Sequence, residues 1–507
     1  MIVLERHDQL DLGDYRRVVH DHEPVEIDPA LLRRVGERRR AMDEYLAAGG
    51  VAYGVTTGLG YLGRRPVAPE DRLALQRAIL VGRAVGLGEP LAEGVVRGAL
   101  LLRLTGFLSG HAGVTPELCR LIADRLNDGW YPVVPSSRPG TAGETIALCH
   151  LFQTFIGEGE VIVAGERTAA GAALARLGVP AYEPQLKEGL ALINGAPLAP
   201  ALAASLAGRA EVLLEHATLL GALASALVEA PTRSHSPRIG RLKGDPGQAR
   251  VHARLAEWWG DAQLSDGPQA PVSLRVLPQV HGAAHDQLDH LSDQLERELK
   301  AVTDSPLYLE EEGEEPEGFY ASGNFHSQAL SLCLDAAAIA FAQVGALAEK
   351  RLHRLLDTRF SRLPEQLSPD PGRGQAGLVA LHKAVVGLCA ENRLLAAPAS
   401  VHASDASSGQ EDFQAFTELA ADKLGRLLDN LELILAYELV ALRQARELST
   451  ADPPPALVAA IDLAAVDISP VVRDRPLAPD VERARKLLRS GVLIASPRQR
   501  RGCLREA

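Results

Sequence analysis

The sequence predicts a mostly helical protein with a mixed N-terminal region and a central bundle of long helices. Hydrophobic residues make up 46% of the 507 residues, which is enough for a large core. Short helical patterns alternate with Gly-rich loops in the first part of the chain. Beyond residue 200, Ala- and Leu-rich stretches continue with few breaks. We therefore predict two domains, at 1–200 and 201–507.

The N-terminal domain contains a candidate helix, a candidate strand pair and a specified turn. PEDRLALQRAILVGRAVG (69–86) has helical periodicity, and EVIVAGER (160–167) fits two short strands. In SRPGTAGETIAL (137–148), a proline and two glycines lead directly into an apolar helix. Gly and Pro in quick succession mark a tight backbone path, so Thr141-Ala142-Gly143 is a candidate site.

The C-terminal domain is predicted from long helical patterns, at 197–230, 279–301, 325–357, 375–396 and 411–449. They exceed the usual globular length and are apolar over much of their surface. We therefore expect a helix bundle that also packs against copies of itself.

Polar breaks separate these helices. TRSHSPRIGRLKGDPGQ (232–248) is predicted to be a loop, and EEEGEEPEG (310–318) an acidic solvated loop. STADPPPAL (449–457) opens the last connector, and the basic tail 496–507 is expected to fray.

Charge and cysteine content exclude several classes of function. The formal net charge of −12 argues against a nucleic-acid partner. The N-terminus is charged from residue 5, so we expect no signal peptide, and no uncharged apolar run is long enough to span a membrane. The chain has five scattered cysteines without a CxxC pair, which predicts a cytoplasmic location with neither disulfides nor a metal centre: Cys119, Cys149, Cys333, Cys389 and Cys503.

Seven motifs occur in one order along the chain and together carry a family resemblance. They are YGVTTGLG (53–60), GTAGETIALCHLFQTFIGEGEV (140–161), LINGAPL (192–198), PVSLRVLPQVHGAAHDQL (271–288), VTDSPL (302–307), SGNFHSQ (322–328) and GQEDF (409–413). In this order the chain resembles the aromatic amino acid ammonia-lyase family, that of histidine and phenylalanine ammonia-lyases. The resemblance covers nearly the whole chain. It implies the helical ammonia-lyase fold and a homotetramer in which three subunits build each active site.

The resemblance also implies a role for the tripeptide 141–143. In the family this position is Ala-Ser-Gly, which cyclises and loses two waters to become the electrophile 4-methylideneimidazole-5-one (MIO). Ala142 has no leaving group on Cβ, and the hydroxyl of Thr141 lies outside the position that becomes the alkene. We therefore predict that Thr141-Ala142-Gly143 is a degenerate triad, that MIO is absent and that the protein has no other cofactor.

Other site residues match the family's motifs. Tyr53 matches the catalytic base on a lid loop, although a phenol is a weak base at neutral pH and needs nearby positive charge. Arg275 matches the arginine that holds the substrate carboxylate, which a guanidinium binds with two parallel hydrogen bonds. The resemblance implies a substrate pocket that also contains Asn194, Gln269, Phe325 and Glu411.

Several positions depart from the family pattern. Arg83 stands where the family has an active-site histidine, and Val272 replaces its second site tyrosine. Ala270 replaces an aspartate, while Thr56 and Leu59 replace Asn and Phe of the tyrosine motif. The tripeptide that forms the electrophile and several neighbouring site residues are changed, whereas the arginine that binds the carboxylate is kept.

Three hypotheses follow. The first is an MIO-independent lyase acting on an amino-acid-like or carboxylate-bearing small molecule by β-elimination, dehydration, conjugate addition or cyclisation. Tyr53 would be its general base, and Arg275 and Arg83 would bind its negative charges. The second is a non-catalytic ligand-binding or regulatory homologue, since a fold does not settle function. The third, an ordinary ammonia-lyase with another route to an electrophile, is disfavoured by Ala142.

Overall fold

Helices dominate the computed structural model, which describes residues 1–260, 262 and 267–495 and confirms the predicted mostly helical fold class. The chain forms two compact units, each assembled from three segments. The first unit contains Met1–Ser205, Ser292–Leu334 and Ala399–Asp422, and the second contains the remainder. The predicted domain boundary at residue 200 stays a prediction. Along the chain, the first boundary between the two compact units follows Ser205.

The N-terminal part of the first unit is built from short and medium helices around a core. These helices are Leu12–Val19 (α1), Pro29–Ala47 (α2), Arg72–Val81 (α3), Glu93–Leu108 (α4), Pro116–Asn127 (α5), Thr145–Phe152 (α6), Ala170–Leu177 (α7) and Glu188–Ile193 (α8). Helix α4 is apolar around most of its circumference and is buried on nearly every side, which makes it the centre of this core.

Three small sheets complete the first unit. Ile2–Leu4 (β1) pairs in parallel with Val25–Ile27 (β2). Tyr131–Pro132 (β3), Glu160–Val163 (β4) and Glu166–Ala169 (β5) form an antiparallel sheet, which confirms the strand pair predicted at 160–167. Leu307–Leu309 (β6) pairs antiparallel with Gly318–Tyr320 (β7), and the acidic loop between them is exposed as predicted.

The long helices are confirmed with small shifts at their ends. They are Leu198–Leu227 (α9), Leu277–Glu298 (α13), Gln328–Leu356 (α14), Val379–Leu395 (α16) and Thr417–Leu448 (α17). Helices α9, α13, α14 and α17 each have residues in both units. The last one begins at Thr417 rather than at 411, because Phe416 has a φ of 49°, which is incompatible with a right-handed helix.

The second unit contains further short helices. They are Pro237–Lys243 (α10), Pro246–Trp259 (α11), Val272–Arg275 (α12), Thr358–Ser361 (α15), Pro455–Asp467 (α18) and Ala478–Ser490 (α19). Helix α18 starts within the predicted connector 449–457, and the basic tail 496–507 lies outside the described residues.

The prediction of a loop at 232–248 is wrong, since this segment contains α10 and the start of α11. Its turn-forming residues act as helix caps. The Ser236 side chain accepts a hydrogen bond from the Arg238 N–H, and Gly244 ends α10 at a φ of 73°. Asp245 then caps α11 by accepting from the Gln248 N–H.

Two stretches of helix are long and apolar enough to cross a membrane by length and composition, Glu188–Leu227 and Gln328–Leu356. In their most apolar windows, 67% and 56% of the residues respectively are buried inside the protein. Core helices of large globular proteins have the same composition, so these two stretches are weak grounds for a membrane span.

Candidate active site

A pocket of about 660 Å³ in the first unit collects residues from distant parts of the sequence. Its wall includes Ala142 and Gly143 of the tripeptide. Five further residues that the sequence analysis singled out also line it: Tyr53, Arg83, Asn194, Phe325 and Glu411. The motifs therefore meet at one concave site, while the role of each residue stays a prediction.

Tyr53 is held by its own loop. Its phenolic oxygen accepts a hydrogen bond from the Gly60 N–H at 2.6 Å. A Cβ at Gly63 would lie 2.8 Å from the Tyr53 ring, so only glycine allows the backbone this close. The loop thus fixes the ring and directs a donor at the oxygen, where a negative charge would be stabilised.

The tripeptide is connected to Glu411 through its backbone. The Ala142 N–H donates to Glu411 Oε2 at 2.8 Å. The Thr141 hydroxyl donates to the carbonyl oxygen of Gly143. The side chain at position 142 is a methyl group, so no group that can leave projects from the centre of the tripeptide. The residues present do not fit the formation of MIO.

Glu144, directly after the tripeptide, is a buried acid that the sequence analysis missed. Its two oxygens accept hydrogen bonds from the N–H groups of Leu198 and Ala199, each at 2.6 Å, at the start of α9. Burial raises its pKa to about 8, and the nearby carboxyl of Glu418 adds to the shift. Burial also raises the pKa of Glu418, to about 7. Acidic residues at a helix start are a sequence signal for such a cap, but Glu144 is far from α9 in the sequence.

Arg83 follows the end of α3 at Gly82 and contributes a positive charge to the pocket. Glu411, a carboxylate of the same pocket, accepts from the Ala142 N–H and forms no ion pair with Arg83. Among residues 1–260, 262 and 267–495, none forms an ion pair with the Arg83 guanidinium.

Asn194 is positioned by hydrogen bonds at both ends of its amide. Its Nδ2 donates to the carbonyl oxygen of Ser305, and its Oδ1 accepts from the Gly195 N–H at 2.9 Å. The residue before Ser305 is Asp304, which forms a buried ion pair with Lys187 at 2.6 Å. Burial lowers the pKa of Lys187, against the opposing effect of Asp304. This ion pair therefore supports the segment on which Asn194 rests.

A second buried cation, Arg103 of α4, lies close to this ion pair. Burial lowers the pKa of Arg103 to about 10, while the charges of Asp304 and Glu144 act in the opposite direction. Its Nε and Nη2 are buried and have no hydrogen-bond partner within the part of the chain that the structure describes. Asp304 thus acts on two buried cations, Lys187 and Arg103.

Gln269 and Arg275 belong to the second unit. Arg275 is the last residue of α12, and its Nε is buried without a hydrogen-bond partner among the described residues. Gln269 is exposed. Of the predicted site residues, the pocket of the first unit therefore contains the other five together with Ala142 and Gly143, whereas Thr141 does not line it.

Comparison with known proteins identifies the family. The model of the aromatic amino acid lyases matches residues 10–465. The chain belongs to this family. Histidine ammonia-lyase of Symbiobacterium thermophilum is 36% identical over 479 residues, which cover 93% of this chain and 94% of the relative.

Solved structures agree with this membership. Histidine ammonia-lyase from Trypanosoma cruzi has a TM-score of 0.87 at 28% identity, covering 97% of this chain and 94% of that one. Ergothionase, an ergothioneine-degrading enzyme from Treponema denticola, has a TM-score of 0.93 at 24% identity, covering 98% and 100%. At 24% sequence identity, the likeness to ergothionase shows a shared fold and nothing more. The chain is thus an enzyme of the ammonia-lyase family, and this membership indicates lyase activity.

The pocket also contains polar residues that the sequence analysis did not select, among them Ser322, Ser407 and Gln410. Gln410 lies within the GQED motif, Ser407 lies two residues before it, and Ser322 begins SGNFH. Proximity to these motifs was the available signal, but hydroxyl and amide side chains are too common in loops to stand out by type.

Proposed function

We propose that this family member is a lyase that works without MIO, on an amino-acid-like or carboxylate-bearing small molecule that carries its own leaving group. The observation that carries the proposal is Ala142, a residue with no leaving group at the centre of the tripeptide that lines the pocket. Without an electrophile to activate the amine, the substrate must supply a group that departs unaided.

β-Elimination is the reaction that the pocket supports best, with conjugate addition as its reverse. Tyr53, as the phenolate, takes a proton from the carbon next to the one that bears the leaving group. The electrons of that C–H bond form the new C=C bond, and the leaving group departs with its bonding pair. The Gly60 N–H, 2.6 Å from the phenolic oxygen, stabilises the negative charge before the proton is transferred.

Arg83 and Arg275 are proposed to bind the negative charges of the substrate. Arg83 lines the pocket without an internal ion pair among the described residues, and the start of α6 beside Gly143 offers further N–H donors. Arg275 would hold the carboxylate, a role that rests on the family motif. A substrate with an acidic group beyond its carboxylate would use both arginines.

A quaternary ammonium is a leaving group that can depart without activation by MIO. A primary ammonium can lose a proton to the base, which leaves a poor leaving group, whereas a trimethylammonium has no N–H and stays cationic at any pH. Ergothioneine, which the Treponema denticola enzyme degrades, is a betaine of this kind. Trimethylammonium betaines are therefore the first substrates to test.

The test is a comparison of substrates with purified protein. Ergothioneine and histidine trimethylbetaine are compared with histidine and phenylalanine, and the conjugated acid product is followed by its ultraviolet absorbance. We expect turnover of a betaine, none of the primary amines, and loss of turnover in Tyr53→Phe. A betaine that binds without turnover would instead support the non-catalytic homologue.

Intact-protein mass spectrometry tests the absence of MIO independently of the substrate. We expect the encoded mass, with residues 141–143 recovered as an ordinary peptide. Loss of two waters localised to these residues would overturn the proposal.

A further inference from the structure

Two helices of the second unit bring a carboxylate and two imidazoles together. Glu349 and His353 lie one turn apart on α14, and His382 comes from α16. One ligand atom of each residue lies within 4.8 Å of the others. Glu349 is buried and the two histidines are partly exposed, so the cluster is open to solvent on the imidazole side.

The contacts within this cluster are close. His382 Nε2 lies 2.6 Å from Glu349 Oε1, and the rings of His353 and His382 stack with centroids 4.5 Å apart and planes inclined by 22°. Lys350 Nζ lies 2.7 Å from the other oxygen of Glu349. His353 forms no hydrogen bond with any residue in the described ranges, so its ring nitrogens are not committed.

We propose that Glu349, His353 and His382 bind one first-row divalent cation, with Zn²⁺ as the best match, and thereby join α14 to α16. Two imidazoles and one carboxylate form a ligand set used for zinc, with a further position left to water. The cysteine pattern predicted no metal centre, but this cluster contains no cysteine. It goes beyond the proposed function, because none of its residues belongs to the pocket described above.

Binding requires a small local adjustment. Zinc lies about 2.0–2.1 Å from its ligand atoms, so the three must approach one another, and a stacked ring must turn to direct its nitrogen at the ion. The hydrogen bond between His382 and Glu349 is replaced by two bonds to the metal. Glu349 keeps its second oxygen on Lys350, which holds the carboxylate in place as an outer partner does in other metal sites.

Cobalt is the probe, because Co²⁺ takes zinc sites and absorbs visible light there. The untagged full-length protein, without substrate, is titrated with Co²⁺ and the d–d absorption is recorded. We expect saturation at one ion per chain and displacement of Co²⁺ by Zn²⁺. His353→Asn and His382→Asn should weaken binding by roughly 100-fold or more, since loss of a direct ligand costs more than loss of an outer-shell partner.

His290→Asn is the matched control, because His290 is an exposed histidine of the same unit outside the cluster. Its titration should equal that of the wild type. Circular dichroism checks the fold of each variant, and anomalous scattering at the cobalt edge from wild-type crystals locates the ion without any substitution. The absence of saturable binding, equal binding in all variants, or an ion located elsewhere would overturn the proposal and leave a hydrogen-bonded His–Glu pair.

Discussion

Breaking the buried Lys187–Asp304 pair tests the account of how the pocket is supported. The side chains of Lys187 and Asp304 are 0% and 3% exposed, and their charged atoms lie 2.6 Å apart. Removing one partner of such a pair leaves an uncompensated buried charge and costs about 3–5 kcal/mol. An exposed ion pair would cost only about 0–1 kcal/mol, so the two cases are well separated.

The two single substitutions should not be equal. In Lys187→Met, Asp304 keeps the nearby charge of Arg103, whereas Asp304→Asn leaves Lys187 and Arg103 buried together without it. We therefore expect Asp304→Asn to lie at the upper end of the range and Lys187→Met at the lower end. In Lys187→Met/Asp304→Asn no buried charge of the pair remains, so its loss should be smaller than the sum of the two single losses.

Urea unfolding followed by tryptophan fluorescence measures these differences, provided that the slopes of the transitions agree. Arg120→Met is the control, because its ion pair with Glu117 is exposed and its loss should cost little. The reasoning is refuted if Lys187→Met costs no more than this control. It is also refuted if the losses in the double variant are simply additive.

Three further outcomes are expected. The folded-state pKa of Glu418, about 7, lies above its ordinary 4.5, so the unfolded chain binds fewer protons at this site and the wild type should lose stability as the pH rises through this interval. In Glu418→Gln, the free energy of unfolding measured in urea should fall less steeply with pH over this interval. The same pH dependence as in the wild type would contradict the raised pKa of Glu418. Arg83→His should weaken binding of an acidic ligand by roughly 1.5–3 kcal/mol in calorimetry. A neutral analogue should respond less, and an equal response would exclude Arg83 as an anion site. Light scattering should give a homotetramer, as the long apolar helices and the family resemblance suggest; a stable monomer would rule out an active site shared among subunits.

The long helices were predictable because each is encoded locally by an apolar period that few residues interrupt. The segment 232–248 was predicted wrongly because Ser236 and Gly244 serve in turns and in helix caps alike. Only the packing of the surrounding chain decides between these two uses. The start of α17 was misplaced for a similar reason, since nothing in the type of Phe416 indicates its positive φ.

The residues of the candidate pocket likewise fall into those that the sequence predicted and those that it did not. Tyr53 and Glu411 were found because each lies in a short motif that can be compared residue by residue. The Lys187–Asp304 pair was missed because its members are 117 residues apart and neither has a motif that names the other. The Glu349 cluster combines two helices in the same way. Short sequence motifs therefore predicted residues that line the pocket, but not the buried Lys187–Asp304 ion pair that supports it.

The two hydrogen bonds that Glu144 accepts allow movement of the tripeptide loop to be followed by amide exchange. They connect the tripeptide to the first amides of α9, at Leu198 and Ala199, although neither residue lines the pocket. A shift of the segment at 141–143 that displaces the Glu144 carboxylate would break these bonds and free the two amides to exchange. Their hydrogen–deuterium exchange is therefore a remote reporter of the loop: it should slow when a ligand stills the tripeptide and quicken when the loop opens.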